Sequence, residues 1–468
     1  MQTITLRVTD RPGVLARVSE LLAGRGCNID SMKITQECRP GFALMRINAR
    51  IDNDHLDILV REMGSLQDVL VVRSARERTA AFSYWTVAYG LFVTILGINL
   101  ASPLYAAYKI QWSLTPGMIA LLFAVYAFVV IPSIVLFGQL SDRIGSKAIL
   151  LWGILVSLLA SICFAMAGGV SMLLLARAIQ GLSVGMFNGV AVSALTALHP
   201  SRDSHRAAFF AALSVTTGNA LGPLMSGALA EWAPFPTRLP YLVHGLLILP
   251  GIIGLLLVRI QHPVPVKTRL HLPVLPRTIR APFYTAAATS FIAWAVVSLF
   301  LSVIPSYMDE WIGRSSSYLF AAFTAAIVLG VSSASQSLFA KWPLPRMAAA
   351  GFVLLFSGLT SLVLTMHVSS SILLAVSAVL VGLGHGPLYA GSLASVNELA
   401  PEQARGDTVS FFYAGTYLGV AIPVLGFGYA AEYIGFVHAV ELFSAVMCAF
   451  SVWTWMRWRN VNKWRDFR

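Results

Sequence analysis

The sequence predicts an α+β head of βαββαβ order followed by an all-α bundle of twelve membrane-spanning helices, built as two six-helix halves. Three observations predict it. Short runs of alternating apolar and polar residues lie before residue 75, apolar runs of bilayer-crossing length recur from residue 81 to residue 456, and one stretch before the longest connection is echoed about two hundred residues later. Composition agrees, since 57% of the 468 residues are hydrophobic and 12% charged, against about 25% charged in ordinary soluble chains.

In the head, Ile4, Leu6 and Val8 alternate with Thr5, Arg7 and Thr9, the period of a half-buried strand. From Pro12 the period becomes helical, with Val14, Leu15, Val18, Leu21 and Leu22 on one face, Asp10 as the cap and Gly24 or Gly26 as the stop. A second strand is expected over 29–35. After the "RPG" turn comes a third, in which Met45, Ile47, Ala49 and Ile51 oppose Arg46, Asn48 and Arg50. Leu56, Leu59, Val60 and Met63 form a second helical face capped near Asn53, and "DVLVV" closes the unit as a strand, which completes the ferredoxin-like order. The polar "SARERT" that follows reads as a linker.

The stretch "DRPGVLARVSELLAGRGCNIDSM", followed by "LQDVLVV", resembles an ACT domain, most closely that of the regulatory small subunit of acetolactate synthase. The resemblance covers nearly the whole head. It implies an amino-acid effector at the junction between paired domains, held by Asp10, Arg11, Gly13 and Val14 on the turn into the first helix and by Asn28 and Ile29 at the start of the second strand. It also implies a homodimer through these domains. The local chemistry suits a carboxylate: a helix N-terminus offers unpaired N–H groups, Gly13 lets the backbone approach closely, and Asn28 offers donor and acceptor. The other reading is a domain that only pairs or folds, with Gly13 making a tight turn and Asn28 satisfying the local backbone.

The spans are expected near 82–106, 117–138, 148–169, 171–194, 207–230, 239–258, 282–306, 317–339, 347–366, 371–396, 408–430 and 433–456. The basic, proline-rich segment 259–280 separates six from six. "ALHPSRDSHRAAFFAALSVTTGNALGPLMSGALAEW" is echoed by "ELAPEQARGDTVSFFYAGTYLGVAIPVLGFGYAAEY", with Pro200 against Pro401, Pro223 against Pro423 and Glu231 against Glu432. Duplicated halves are how many secondary transporters build a central site. The net charge of +12 reflects topology. With the first span leaving the cytoplasm, the odd-numbered connections hold only Lys109, Arg238 and Arg314, whereas basic residues crowd the other side and the tail. The positive-inside rule then places both termini in the cytoplasm of a multi-pass protein of the cell membrane. The expected divisions are the head 1–74, a linker 75–80, a first half 81–258, a connection 259–281, a second half 282–456 and a basic tail 457–468.

Between the second and third spans, "GQLSDRIGSK" resembles the loop signature of the major facilitator superfamily, matched at Gly138, Asp142, Arg143, Gly145 and Lys147 and departing at Ser146, where a second basic residue is common. The charges suit a gate, with Asp142 at the N-terminus of a neighbouring helix, the eleventh span, and Arg143 and Lys147 on acidic groups or lipid phosphates. In the fourth span, "LLLARAIQGLSVG" places Arg177 where a charge is costly. The resemblance extends to Arg177, Gln180 and Gly181, a segment associated with proton coupling. In "GNALGPLMSG", Gly218 and Gly222 share a face that Gly227 continues, and Pro223 kinks the span. The stretch approximates the antiporter signature of drug exporters in the superfamily, departing at Ser226 and Phe209, and small residues also serve close helix packing. His385, within "GLGHGPLYAG", is a titratable candidate; Asn99, His244 and Glu441 are weaker ones.

No nucleophile with its base and no Gly-Lys-Ser/Thr phosphate loop is present, which argues against a membrane enzyme or an ATP-driven pump. Cys27, Cys38, Cys163 and Cys448 lack metal-ligand spacing, so neither a metal, a cofactor nor a disulfide is expected. The expectation is a proton-coupled exporter of a small molecule, in contact with membrane lipid and not with nucleic acid, whose cytoplasmic head senses an amino acid or similar metabolite. A drug exporter with an assembly-only head and a non-transporting nutrient receptor are the alternatives.

Overall fold

In the head, a computed structural model shows a four-stranded antiparallel sheet of β1 (Gln2–Thr9), β2 (Asn28–Gln36), β3 (Phe42–Arg50) and β4 (Val69–Ser74), in the order β2-β3-β1-β4. It describes residues 2–36, 41–51, 53–198, 204–258, 275–312, 317–401 and 404–459. Helices α1 (Val14–Gly24) and α2 (Asn53–Gly64) lie between strands as the sequence orders them. The alternation in β1 and β3 puts Ile4, Leu6, Met45 and Ile47 into a core with Val14, Val18, Leu22, Leu59 and Met63. One expectation changes here. The residue that opens α1 is Gly13 at φ +90°, with no side-chain cap; Asp10 instead accepts from Gln36 Nε2 at 3.2 Å. A left-handed entry favours glycine, so the chain turns by backbone geometry rather than by a capping carboxylate.

Residues 75–80, read as a linker, are the first turns of α3 (Ala75–Ile98). Ala75, Arg76, Glu77 and Arg78 are good helix formers with no glycine or proline among them, so nothing halts the helix. The chain divides into two compact units, Met1–Thr86 with Thr196–Ser204, and Val87–Leu195 with His205–Arg468.

The first half of the body continues with α4 (Ala101–Trp112), α5 (Pro116–Ile144), α6 (Ser146–Ala165), α7 (Val170–Leu198), α8 (Ser204–Trp232) and α9 (Leu239–Leu257). A short 3-10 turn, Arg277–Ile279, leads into the second half: α10 (Arg280–Leu301), α11 (Val303–Ile312), α12 (Tyr318–Phe339), α13 (Leu344–Val368), α14 (Ser371–Leu399), α15 (Arg405–Ile434) and α16 (Phe436–Arg459). Among the described residues, eleven helical stretches are long and apolar enough to cross a membrane. Helix α8, at 29 residues, is the twelfth long helix and is not among those eleven; Ser214, Thr216, Thr217, Asn219 and Ser226 dilute its apolar content. The connection over 259–274 and the tail beyond Arg459 lie outside the described residues.

The first and seventh spans, expected to be single helices, are each broken in two. Pro103 lacks the N–H that would bond the Asn99 carbonyl, and Pro305 stands in the same relation to Leu301, so the chain breaks at 99–100 and again at Ser302. Close packing repeats too. A Cβ on Gly181 of α7 would lie 2.5 Å from the Tyr126 carbonyl oxygen of α5, and one on Gly382 of α14 would lie 2.8 Å from the Val328 carbonyl oxygen of α12.

Candidate functional site

The break in the first span loosens the helical bonding of its last carbonyls, where Gly97 keeps only a long 3.4 Å bond from the Leu100 N–H, and α7 supplies donors to Gly97 and Ile98. Arg177, 1% exposed, donates from Nη1 to the Ile98 carbonyl at 3.0 Å and to Gln180 Oε1 at 2.7 Å, and from Nη2 to the Tyr105 hydroxyl. Gln180 Nε2 donates to the Gly97 carbonyl at 2.8 Å. The rings of Tyr105 and Phe164 lie 5.4 and 5.7 Å from the guanidinium carbon, close enough for cation–π attraction. Arg177 Nε has no partner among the described residues. The buried polar side chains of the described residues include Arg177, His244 and His385 and no carboxylate. A cation is therefore held at membrane depth by one backbone carbonyl, a side-chain amide oxygen, a hydroxyl and aromatic faces, and it sits about 10 Å along α7 from its start.

The second half answers its own break differently. Ser298, Ser302 and Ser306 each donate to the carbonyl four residues back, at 2.6, 2.6 and 3.0 Å. The chemistry on this side gathers on α14. His385, 2% exposed, shares a hydrogen bond with Ser332 of α12 at 2.6 Å through Nδ1, meets the Trp294 ring edge-on at 4.8 Å and stacks on Tyr389 at 5.8 Å. Its Nε2 and Trp294 Nε1 lack partners among the described residues. Tyr389 stacks on Phe412 of α15 at 6.4 Å between ring centroids, and Tyr126 of α5 meets Tyr417 of α15 edge-on at 6.1 Å. Asn188 Nδ2 of α7 donates to Tyr417 of α15 at 3.1 Å, which joins the two halves.

The small-residue stretch of α8 packs on the first span. A Cβ on Gly218 or Gly222 would lie 2.8 or 2.4 Å from the carbonyl oxygens of Phe92 and Leu96. Ser226 donates to the Leu100 carbonyl at 2.5 Å, and Pro223 lies within the helix. Gly227 faces Ala322 and Tyr318 of α12 instead. The loop motif at the far end of α5 is partly assembled. Gly145, at φ +89°, turns the chain into α6, and Lys147 Nζ donates to the Leu256 and Val258 carbonyls at 3.0 and 2.6 Å. Lys147 thus closes the C-terminus of α9, where a cation suits the helix dipole. Asp142 is exposed and has no hydrogen-bond partner among the described residues; Gly138 borders open space, and Arg143 is half-buried. Of the weaker candidates, Asn99 donates to Asn219 Oδ1 at 2.9 Å. His244 lies between Ser161 at 2.7 Å and the Val93 carbonyl at 2.9 Å. Glu441 pairs with His367 at 2.9 Å where both are partly exposed.

In the head, the six residues expected to hold an effector separate into two groups. Asp10, Arg11, Gly13 and Val14 follow the end of β1, beside Gln36 at the end of β2, whereas Asn28 and Ile29 begin β2. Strands β1 and β2 both run antiparallel to β3, so the groups occupy opposite ends of one sheet. The length of β2 sets them about 26 Å apart. Cys27 packs against the core, and burial raises its thiol above the ordinary range, which favours the unreactive form.

Residues 87–365 and 286–465 match the model of the Major Facilitator Superfamily. The chain belongs to the major facilitator superfamily. Residues 4–71 match the AHAS small subunit-like ACT domain, which fixes the head's class. Among curated superfamily relatives, the quinolone resistance protein NorA of Staphylococcus aureus (strain MSSA476) is 25% identical over 232 residues, 49% of this chain and 58% of that protein. The putative multidrug resistance protein MdtD of Escherichia coli O1:K1 / APEC is 30% identical over 152 residues, 32% of each. The chain thus spans between a third and about three fifths of the length of these relatives. A bacterial homolog of the human lysosomal transporter Spinster, inward-facing and unoccupied, superposes with a TM-score of 0.64 at 14% identity, over 82% of this chain and 98% of that one. The peptide transporter POT in complex with sulfate gives 0.66 at 16% identity, over 83% and 95%. Both likenesses concern the fold.

Within this superfamily architecture, the sequence pointed to Arg177, Gln180, Gly181 and His385, and the structure surrounds them with groups it did not point to: Tyr105, Trp294, Tyr389 and the link from Asn188 to Tyr417. Each missed aromatic reads as one more apolar residue in an apolar helix. The two prolines that break the first and seventh spans were a usable signal.

Proposed function

We propose that this multi-pass protein is a proton-coupled exporter of a small molecule, residing in the cell membrane with both termini in the cytoplasm, whose head senses an amino acid or similar metabolite. The observation that carries the proposal is the buried Arg177 held against the broken first span, in a body whose halves meet at Tyr126, Asn188 and Tyr417. Broken helices whose freed backbone groups line an interior are suited to bind solute near the membrane midplane. The described interior has no carboxylate to pair with an organic cation, so it favours solutes that bring their own oxygen acceptors. Basic loops on the Gly138–Lys147 side support the orientation, with Asp142 and Arg143 completing a gate when that end closes.

The separation within the head supports the sensing role in one form only. A site using both the Gly13 turn and Asn28 takes its two parts from two heads, so effector and dimer come together. An effector that binds one body conformation better than the other shifts the balance by about 1–3 kcal/mol, the usual range for coupled sites. The names of the superfamily relatives favour a second reading, a drug exporter whose head only pairs.

Reconstituted full-length protein decides between them. An imposed pH gradient is expected to drive amino-acid or organic-acid efflux, and amino acids added to the same protein are expected to give binding heat. Gradient-driven flux of an organic cation such as ethidium, with no heat from amino acids, would favour the second reading.

A further inference from the structure

The end of the bundle opposite the Gly138–Lys147 loop carries two carboxylates that the site above does not use. Glu432, in the last turn of α15, accepts from the Gly117 N–H at 3.0 Å, at the start of α5. Glu231, at the end of α8, accepts from the Leu319 N–H and the Ser317 hydroxyl, each at 3.3 Å, at the start of α12. In both cases the acid belongs to one half and the helix start to the other. Glu231 and Glu432 stand 201 positions apart, and Gly117 and Leu319 stand 202 apart, so one contact is the repeat of the other. The same interface repeats its close approach. A Cβ on Gly227 would lie 2.8 Å from the Tyr318 carbonyl oxygen, and one on Gly428 would lie 2.8 Å from that of Pro116.

An acid in the last turn of a helix opposes that helix's own dipole, so neither position is favourable within its half. The unpaired N–H groups and positive end of a helix from the other half reverse the sign, and no basic side chain pairs with either carboxylate among the described residues. We propose that Glu231 and Glu432 are a symmetric pair of positioning residues that latch the halves together at the outer end and set the balance between inward- and outward-facing states. The proposal rests on the reading of the body as an alternating-access transporter. Separating the halves at this end returns each acid to its own unfavourable helix terminus.

Spin labels at Gln111 and Tyr433, one on each half near this end, report its opening in full-length protein in liposomes. E231Q and E432Q keep the side-chain shape and remove the charge. Each is expected to raise the ratio of the long-distance to the short-distance population about two- to fivefold. The double variant combines the two factors, with thermal unfolding unchanged. E432D keeps the charge with a shorter reach and behaves like E432Q. A double variant with wild-type populations overturns the latch, as does full rescue by aspartate, which would assign the effect to general surface charge. A population shift without solute flux in the wild type would leave the latch standing and defeat the transporter reading.

Discussion

Helices α7 and α14 are the same helix used twice, and they differ where it matters. Gly181 and Gly382 approach the backbone of α5 and α12, and Gly185 and Gly386 approach Ser133 and Ser335 in the same way. Yet Arg177 faces a broken span where the repeat has Ala378, and His385 stands where the first half has Val184. The breaks themselves are duplicated, but Arg177 and Gln180 satisfy one while serine hydroxyls satisfy the other. The packing frame and the exposed carboxylate contacts at its end are therefore repeated, and the buried ionisable chemistry is not. Physical cost explains the difference: glycine contacts stabilise any pair of membrane helices, whereas a buried charge is tolerated only where specific acceptors wait for it.

The comparison breaks most visibly at the glycines. Gly386→Leu and Gly181→Leu, whose first added carbon already meets Ser335 and the Tyr126 carbonyl, are expected to destabilise the two halves alike, by about 3 kcal/mol or more. Detergent-solubilised thermal unfolding would show it as early aggregation. A large loss in one half only would mean that the frame is not equivalent.

Next in size is Arg177→Ala, which strands the Ile98 carbonyl, the Tyr105 hydroxyl and Gln180. At about 1.5–3 kcal/mol for each bond to a charged group, transport is expected to fall at least a hundredfold. Arg177→Lys keeps the charge but not the fork, so it recovers little. A change at the mirrored position that adds little bulk, Ala378→Ser, is expected to leave transport within about twofold because nothing ionic depends on that buried position.

His385→Phe keeps an aromatic ring between Trp294 and Tyr389 and removes the ring nitrogens. Flux is expected to fall about tenfold, one hydrogen-bonding group's worth, with little change in unfolding temperature. The smallest effect belongs to Lys147→Met, which removes two donors from the end of α9 and is expected to cost about 1 kcal/mol. No lysine mirrors it in the second half, where α13 begins at Leu344 as α6 begins at Ser146 and Pro345 occupies the corresponding place.

The head's strand order, the two halves and the signature loop were legible because periodicity and spacing encode them. What escaped was whatever depends on the partner across a gap. Asp10 reads as a helix cap until Gly13 is seen to turn the chain unaided, and Lys147 reads as a lipid or acid contact until the end of α9 arrives beside it. The alignment of Glu231 with Glu432 was visible, but no pattern within α8 or α15 says that each reaches the opposite half. Likewise Asn28 and Gly13 lie 15 positions apart in sequence and at opposite ends of the sheet.

Proton movement in proteoliposomes tests most directly the claim that single-copy chemistry on a duplicated frame drives transport. With a trapped pH indicator, solute addition is expected to give a proton signal for the wild type and for Ala378→Ser, and none for folded Arg177→Ala. Equal signals from all three proteins, or solute flux that moves no protons, would contradict the account.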